Sequence, residues 1–308
     1  MPRRADPRLD AAAAVALGRR AQQEDAVICD CPLGAEVGLV VLSDGMGGHR
    51  CGDVASRIVA TEVYSELKLR ADALSRADAD RPGLLRRAAE GANACLRAYA
   101  EATSDAEGMG ATLLAGILDG GALHWISVGD SPLYLFRAGD LVRLNADHSF
   151  GAVMQALVAQ GRLAAATAEG HPDRASLISV LSGGPIAHVD CPRTPFRLQE
   201  GDVLVFASDG LMHLDEAEIR RVLRTHPEAA SAELAAALMG AVETLGDPEQ
   251  DNLSVAVIRV GASGAGGGSG ADTRRGETET TGSAVAETEA AAVTPDPALC
   301  DGTGGGVP

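Results

Sequence analysis

Aromatic residues are scarce in this chain: one tryptophan, three tyrosines and four phenylalanines make up 3% of 308 residues. Stacking platforms for nucleic acid are therefore not expected. Positive charge is also short, with 26 Lys+Arg against 43 Asp+Glu and a formal net charge of −17. That balance repels nucleic acid and anionic membrane surfaces, so neither is expected as a partner. No apolar run approaches the roughly 18 residues that span a bilayer. Arg3-Arg4 is followed by Asp6, Pro7 and Asp10 rather than by a leader's apolar stretch, so a cytoplasmic location is expected. The six cysteines have no CxxC spacing and read as reduced thiols. With 46% hydrophobic residues, the core must be built mainly from Ala, Val, Leu and Ile.

Composition changes at Gly261. The stretch 261–308 holds 12 of the 37 glycines, seven acids against two bases, and Thr/Glu repeats. It lacks the large apolar residues needed to offset ordering entropy, so it is expected to be disordered, as are the first nine residues. Between them, 10–260 reads as one domain. Apolar runs of strand length lie at 37–42, 111–118, 123–128, 133–136, 203–207 and 253–260. Segments with helical periodicity lie at 53–69, 84–102, 150–160, 216–224 and 229–245. The long helices come in consecutive pairs and the strands in runs joined by short turns. This pattern predicts an α+β fold with antiparallel sheets and packed helices.

Several apolar runs begin or end at an aspartate beside small residues: Ser43-Asp44-Gly45, Val128-Gly129-Asp130-Ser131, Ser208-Asp209-Gly210 and Asp251-Asn252, with Gln23-Glu24-Asp25 ahead of a further strand. One such pair is an ordinary turn signal. Several converging at a sheet end would make an all-oxygen cage for a hard cation, Mg²⁺ or Mn²⁺. Two ions held about 3.5–4 Å apart with a bridging water are what in-line attack on phosphorus needs.

The ordered set Arg20-x-x-x-Glu24-Asp25, Ser43-Asp44-Gly45-Met46-Gly47-Gly48-His49, Gly110-Ala111-Thr112, Gly129-Asp130-Ser131, Asp147-His148-Ser149, Ser208-Asp209-Gly210-Leu211 and Asp251-Asn252 resembles the motifs of bacterial PPM (type 2C) Ser/Thr phosphatases. The resemblance covers roughly residues 10–260. It implies a four-layer αββα sandwich, two antiparallel sheets flanked by helix pairs, with a variable flap about 150–190. It also implies hydrolysis of phosphoSer and phosphoThr in proteins by a hydroxide bridging two Mn²⁺ or Mg²⁺ ions, without a phosphoenzyme. Asp44, the Gly45 carbonyl, Asp209 and Asp251 would hold those ions, with Glu24 and Asp25 acting through water and Asp130 joining Asp209 at a third, weaker ion. Arg20 would grip the phosphate through paired hydrogen bonds. A cognate Ser/Thr kinase and a monomeric state go with the same resemblance.

His49 is a candidate general acid, because an imidazole titrates in a suitable range. It stands three residues beyond the place where some family members carry a histidine, now Met46, and a loop-shaping role is the other reading. Gln23 replaces the usual Asn, Pro132 the usual Arg and Ser254 the common Thr. Asn252, Thr112, Ser254 and His148 are expected to brace loops rather than react. No Cys-x5-Arg nucleophile loop is expected in the chain, so a thiol route is set aside. A phosphoprotein-binding module without catalysis and a hydrolase of small phosphoesters stay open as alternatives.

Overall fold

The computed structural model describes residues 7–32, 37–47, 51–70, 74, 76, 79–119 and 121–263. The expected tail beyond Ser263, the first six residues and His49 lie outside them.

Two antiparallel sheets lie face to face. One joins β1 (Pro7–Ala16), β11 (Leu253–Ser263), β10 (Val203–Ala207), β7 (Leu133–Arg137) and β8 (Asp140–Arg143) in that order. The other joins β2 (Asp25–Asp30), β3 (Val37–Met46), β5 (Leu113–Asp119), β6 (Ala122–Val128) and β9 (Phe196–Arg197), with β4 (Gly110–Ala111) paired to the end of β3. Helices α1 (Gly52–Lys68) and α2 (Arg81–Ala102) cover the second sheet; α5 (Glu216–Thr225) and α6 (Ser231–Leu245) cover the first. The result is the expected αββα sandwich. Two shorter helices, α3 (Phe150–Ala159) and α4 (Ala165–Glu169), occupy the expected flap.

Both faces of each sheet are buried, one against helices and one against the other sheet, which is why the strands read as near-continuous apolar runs. Leu39 and Val41 of β3 face the helices, while Val40 and Leu42 face the opposite sheet. In β10, Val203 and Val205 face the helices, and Leu204 and Phe206 the opposite sheet. Phe206 is fully buried in that central layer. It shares that layer with Trp125 and a set of aliphatic side chains, and its truncation to Ala is expected to cost about 3–5 kcal/mol.

Helix starts follow their sequence signals. Asp80 accepts from Gly83 N at the head of α2, and Asp215 and Glu218 bond each other's backbone N–H at the head of α5. The head of α6 is different, because Ser231 N donates to the Asp10 carboxylate of β1 at 2.6 Å. The sequence reading left β1 out. It opens at Pro7, inside the stretch expected to be flexible, and β11 runs on to Ser263, past the expected end at 260. Alanine is a weak strand former, and Ala11–Ala14 gives no strand signal of its own; pairing with β11 overrides it.

Candidate active site

Antiparallel pairing brings the ends of β1, β3, β6 and β10 and the starts of β2 and β11 to one rim of the sandwich. Every strand-terminal acid singled out in the sequence lies there. Asp25 opens β2 and pairs in register with Asp44 near the end of β3. Asp130 follows β6, Asp209 follows β10 and Asp251 precedes β11. Arg20 and Glu24 lie in the loop between β1 and β2.

Close backbone contacts lock these segments together. A Cβ on Gly45 would lie 1.9 Å from the Gly52 carbonyl oxygen and 2.8 Å from that of Glu24, so only glycine lets β3, α1 and the Glu24 loop meet. Gly18 adopts φ +62 and sits against Asp251, whose carbonyl oxygen would be 2.1 Å from a Cβ. Asn252 accepts from Glu24 N at 2.8 Å and donates to Leu17 O at 2.8 Å. Gln23 donates to Ala16 O at 3.0 Å and accepts from Asp25 N at 2.9 Å, so the longer amide closes its loop on both sides. Thr112 donates its N–H to Asp44 O and accepts from Asp44 N through Oγ1, at 2.8 and 2.9 Å. Ser208 Oγ donates to Asp25 at 2.7 Å and accepts from Ser254 N at 2.9 Å. His148 Nδ1 accepts from Gly129 N at 3.2 Å, tying its loop to the end of β6.

The electrostatics of the rim are one-sided. Burial, then the charges of Asp209, Asp25, Asp130 and Asp251, hold the Asp44 carboxyl well above the usual carboxylate range. Burial, followed by the Asp209 and Asp147 charges, pushes Asp130 up to about 7. Asp25 is pushed up to about 6, by burial first, despite the Ser208 hydrogen bond. Asp209 is raised by burial and by Asp251, and a hydrogen bond with Asp44 works the other way. Glu24 is raised by burial above all. One Asp209 carboxylate oxygen, Oδ1, is buried with no hydrogen-bond partner among the described residues. Against this stands Arg20, whose Nη2 donates to Asp251 Oδ2 at 2.6 Å.

An all-oxygen donor set, an orphaned buried carboxylate oxygen and acids that resist ionising together fit a hard divalent cation. Among the described residues no three acidic, histidine or cysteine side chains already converge on one ion position.

A cleft of about 420 Å³ opens beside the rim, lined by Asp130, Asp147, Asp209 and Met212 together with Gln155 and Arg174 of the 150–190 stretch. The flap helix α3 forms its wall, with Ser149 capping that helix through Ala152 N. The sequence reading missed three residues here. Arg143, on β8, donates to Asp130 O at 2.6 Å and to Asp147 at 3.0 Å, so an arginine reaches Asp130 although Pro132 stands in the usual place. His213 and Asp247 bond to each other beside Asp251. None of the three lies next to a strand-terminal acid, and pairing across a hairpin or between two turns leaves no local signature.

Contrary to expectation, Cys-x5-Arg spacings do occur, from Cys51 to Arg57 and from Cys191 to Arg197. The Cys51 thiol is buried and donates to Asp105 O at 3.2 Å, while Arg57 lies along α1 on the Asp53 carboxylate at 2.5 Å. A phosphate-cradling loop needs both groups on one side of an open turn, and a helix starting at Gly52 separates the first pair. In the second, the Cys191 thiol is buried against Pro82 O at 3.6 Å and Arg197 belongs to β9.

The family model described as Protein phosphatase 2C matches residues 17–245. The serine/threonine protein phosphatase PstP of Mycobacterium tuberculosis is 35% identical over 197 residues, which are 62% of this chain and 34% of that protein. The chain thus spans about a third of the length of that relative. The serine/threonine phosphatase stp of Listeria welshimeri is 34% identical over 188 residues, 61% of this chain and 72% of that one. Among solved structures, PstP/Ppp of M. tuberculosis superposes with a TM-score of 0.69 at 31% identity, covering 83% of this chain and 100% of that one. The catalytic domain of PstP in complex with two manganese ions gives 0.66 at 30% identity, covering 83% and 99%.

Proposed function

The chain belongs to the protein phosphatase 2C family, and on that footing we propose that it is a metal-dependent phosphatase of phosphoserine and phosphothreonine in proteins. The observation that carries the reading is the rim itself: a buried Asp25 and half-buried acids on four further segments, a buried Asp209 oxygen without a partner among the described residues, and Arg20 at the opening. Asp44, the Gly45 carbonyl, Asp209 and Asp251 would hold two Mn²⁺ or Mg²⁺ ions. Glu24 and Asp25 would act through intervening water, and Asp130 would join Asp209 at a third ion. When bound, such cations activate water for attack on phosphorus and offset the charge of the phosphate.

The protein's own groups divide the remaining work. Arg20 is more than half exposed and uses one guanidinium nitrogen on Asp251, leaving other N–H donors for phosphate oxygens. Asn252, Gln23 and Thr112 fix the backbone of the acid-bearing segments, so the donor set is organised before substrate arrives. Arg143 holds Asp130 and Asp147 together at the mouth of the cleft. The cleft between Met212 and the flap gives the chain flanking the phosphorylated residue a place to lie.

A Ser/Thr kinase as the opposing enzyme, a cytoplasmic setting and a monomeric state belong to this same reading and rest on the resemblance. The test is release of phosphate from a phosphothreonine peptide by the full chain, with and without Mn²⁺ or Mg²⁺, beside Asp209→Asn. Metal-dependent release that Asp209→Asn abolishes supports the reading. A folded protein that releases no phosphate with either metal would turn the assignment toward phosphoprotein binding.

A further inference from the structure

His213 ends the short 3-10 turn Asp209–His213, and Asp247 opens the turn that leads from α6 to Asp251. The His213 ring is engaged at both nitrogens: Nδ1 lies 3.1 Å from Asp247 Oδ2, and Nε2 lies 3.4 Å from Asp251 N. A backbone N–H can only donate, so Nε2 is the accepting nitrogen and Nδ1 carries the hydrogen that it gives to Asp247. Both contacts are thus met by one tautomer of a neutral imidazole.

Asp247 is itself fixed. Its Oδ1 accepts from Glu249 N at 2.9 Å, and its carbonyl accepts from Gln250 N at 3.3 Å. The ring is therefore anchored to one turn by hydrogen bonding and to the other by the chain. It joins the backbone of Asp251 to the turn that begins at Asp209. The side chain of His213 is 23% exposed, at the wall of the cleft rather than in either apolar layer.

We infer that His213, oriented by Asp247, is a positioning residue: it sets the Asp251 backbone against the Asp209 turn and thereby tunes how tightly the rim holds its divalent cations. The inference rests on the metal reading given above. It adds a residue pair that does not touch the cation or the phosphate. Partners that orient metal ligands in this way commonly change metal affinity by about 10–100-fold when removed.

The experiment is calorimetric titration of the metal-stripped full chain with Mn²⁺, for the wild type, His213→Ala, Asp247→Ala, the double variant and His213→Gln. The expected result is at least about a tenfold weaker affinity for each Ala variant. The double variant should be no weaker than His213→Ala, since Asp247 acts through the ring. His213→Gln, whose side-chain oxygen can accept from Asp251 N, should regain part of the loss. Melting in EDTA separates this from general loosening. If His213→Ala melts well below the wild type, Asp247→Ala, altered in a surface turn, carries the test. A Mn²⁺ affinity within twofold of wild type in the folded Ala variants overturns the inference, as does full additivity in the double variant. A wild-type chain that binds no Mn²⁺ overturns the metal reading and this inference together, a different and recognisable result.

Discussion

Two regions bury aspartate in opposite ways. Asp202 is fully buried at the turn into β10, yet Arg137 donates to it twice, from Nε and Nη2 at 2.7 Å each, and Gln199 N donates a third time at 2.7 Å. Arg81 pairs with Asp119 in the same spirit behind the second sheet. At the rim, Asp25 is buried and Asp44, Asp130 and Asp209 are half-buried, and they face one another's charges, with the exposed Arg20 in reach of Asp251. The first arrangement completes its charge within the chain. The second leaves a negative site that only a group from outside can complete. The same residue type in the same fold thus serves permanence in one place and exchange in the other.

Removing acids should break this contrast in opposite directions. Asp209→Asn is expected to lower phosphatase activity by more than about a thousandfold, the scale of losing a principal electrostatic group, while leaving the melting temperature in EDTA unchanged or higher, because one repelling charge is gone. Steady-state rates on a phosphopeptide and a thermal melt check both halves. Asp202→Ala should do the reverse, costing about 3–5 kcal/mol in denaturant unfolding because Arg137 is left without its partner, with the metal requirement of the remaining folded enzyme unaltered. Equal destabilisation by the two substitutions would erase the distinction.

Smaller effects sharpen it. Arg20→Ala should raise KM for a phosphopeptide by about tenfold, the equivalent of about 1.4 kcal/mol, while hardly moving the melting temperature, since ion pairs this exposed contribute little to stability. Rates at varied peptide concentration measure the first and a melt the second. pH should give the smallest signal. In EDTA, Asp25 at about 6 and Asp130 at about 7 sit above their unfolded values, so between about pH 4 and 7 the folded state binds more protons than the unfolded one. Stability is therefore present at low pH and lost as pH rises through that window. The metal-free protein should melt higher at pH 5 than at pH 7.5, and saturating Mn²⁺ should reverse or flatten the trend. A melt that rises with pH in EDTA would contradict the crowded-acid picture.

Much of the contrast was legible beforehand because strand-terminal aspartates announce themselves next to apolar runs. The strand at 203–207 was equally plain, since all five residues are buried, and the helix at 150–160 was readable from its apolar periodicity although only Gly151 and Met154 are buried. What escaped depends on partners distant in sequence. Ala11–Ala14 becomes strand only through β11. Asp10 caps α6 across 221 residues, and no window around Asp10 contains its partner. Arg143 reaches Asp130 because β7 and β8 form a hairpin. His213 meets Asp251 because two turns end side by side. The acids of the rim are written locally, whereas the groups that orient them are written in the topology.

The pairing of β1 with β11 has a consequence for synthesis. Pro7 lies opposite Ser263 in the register, so the first strand of the sandwich waits on the ribosome until the last one emerges. At about 5–20 residues per second, that wait is on the order of tens of seconds. Arg20, Asn252 and Asp251 lie at this seam, so the rim is completed only when it closes. A nascent chain, or one cut short before β11, therefore lacks part of its reactive centre as well as a strand. A product ending before Asp251 also lacks that acid and so cannot complete the acid-lined rim.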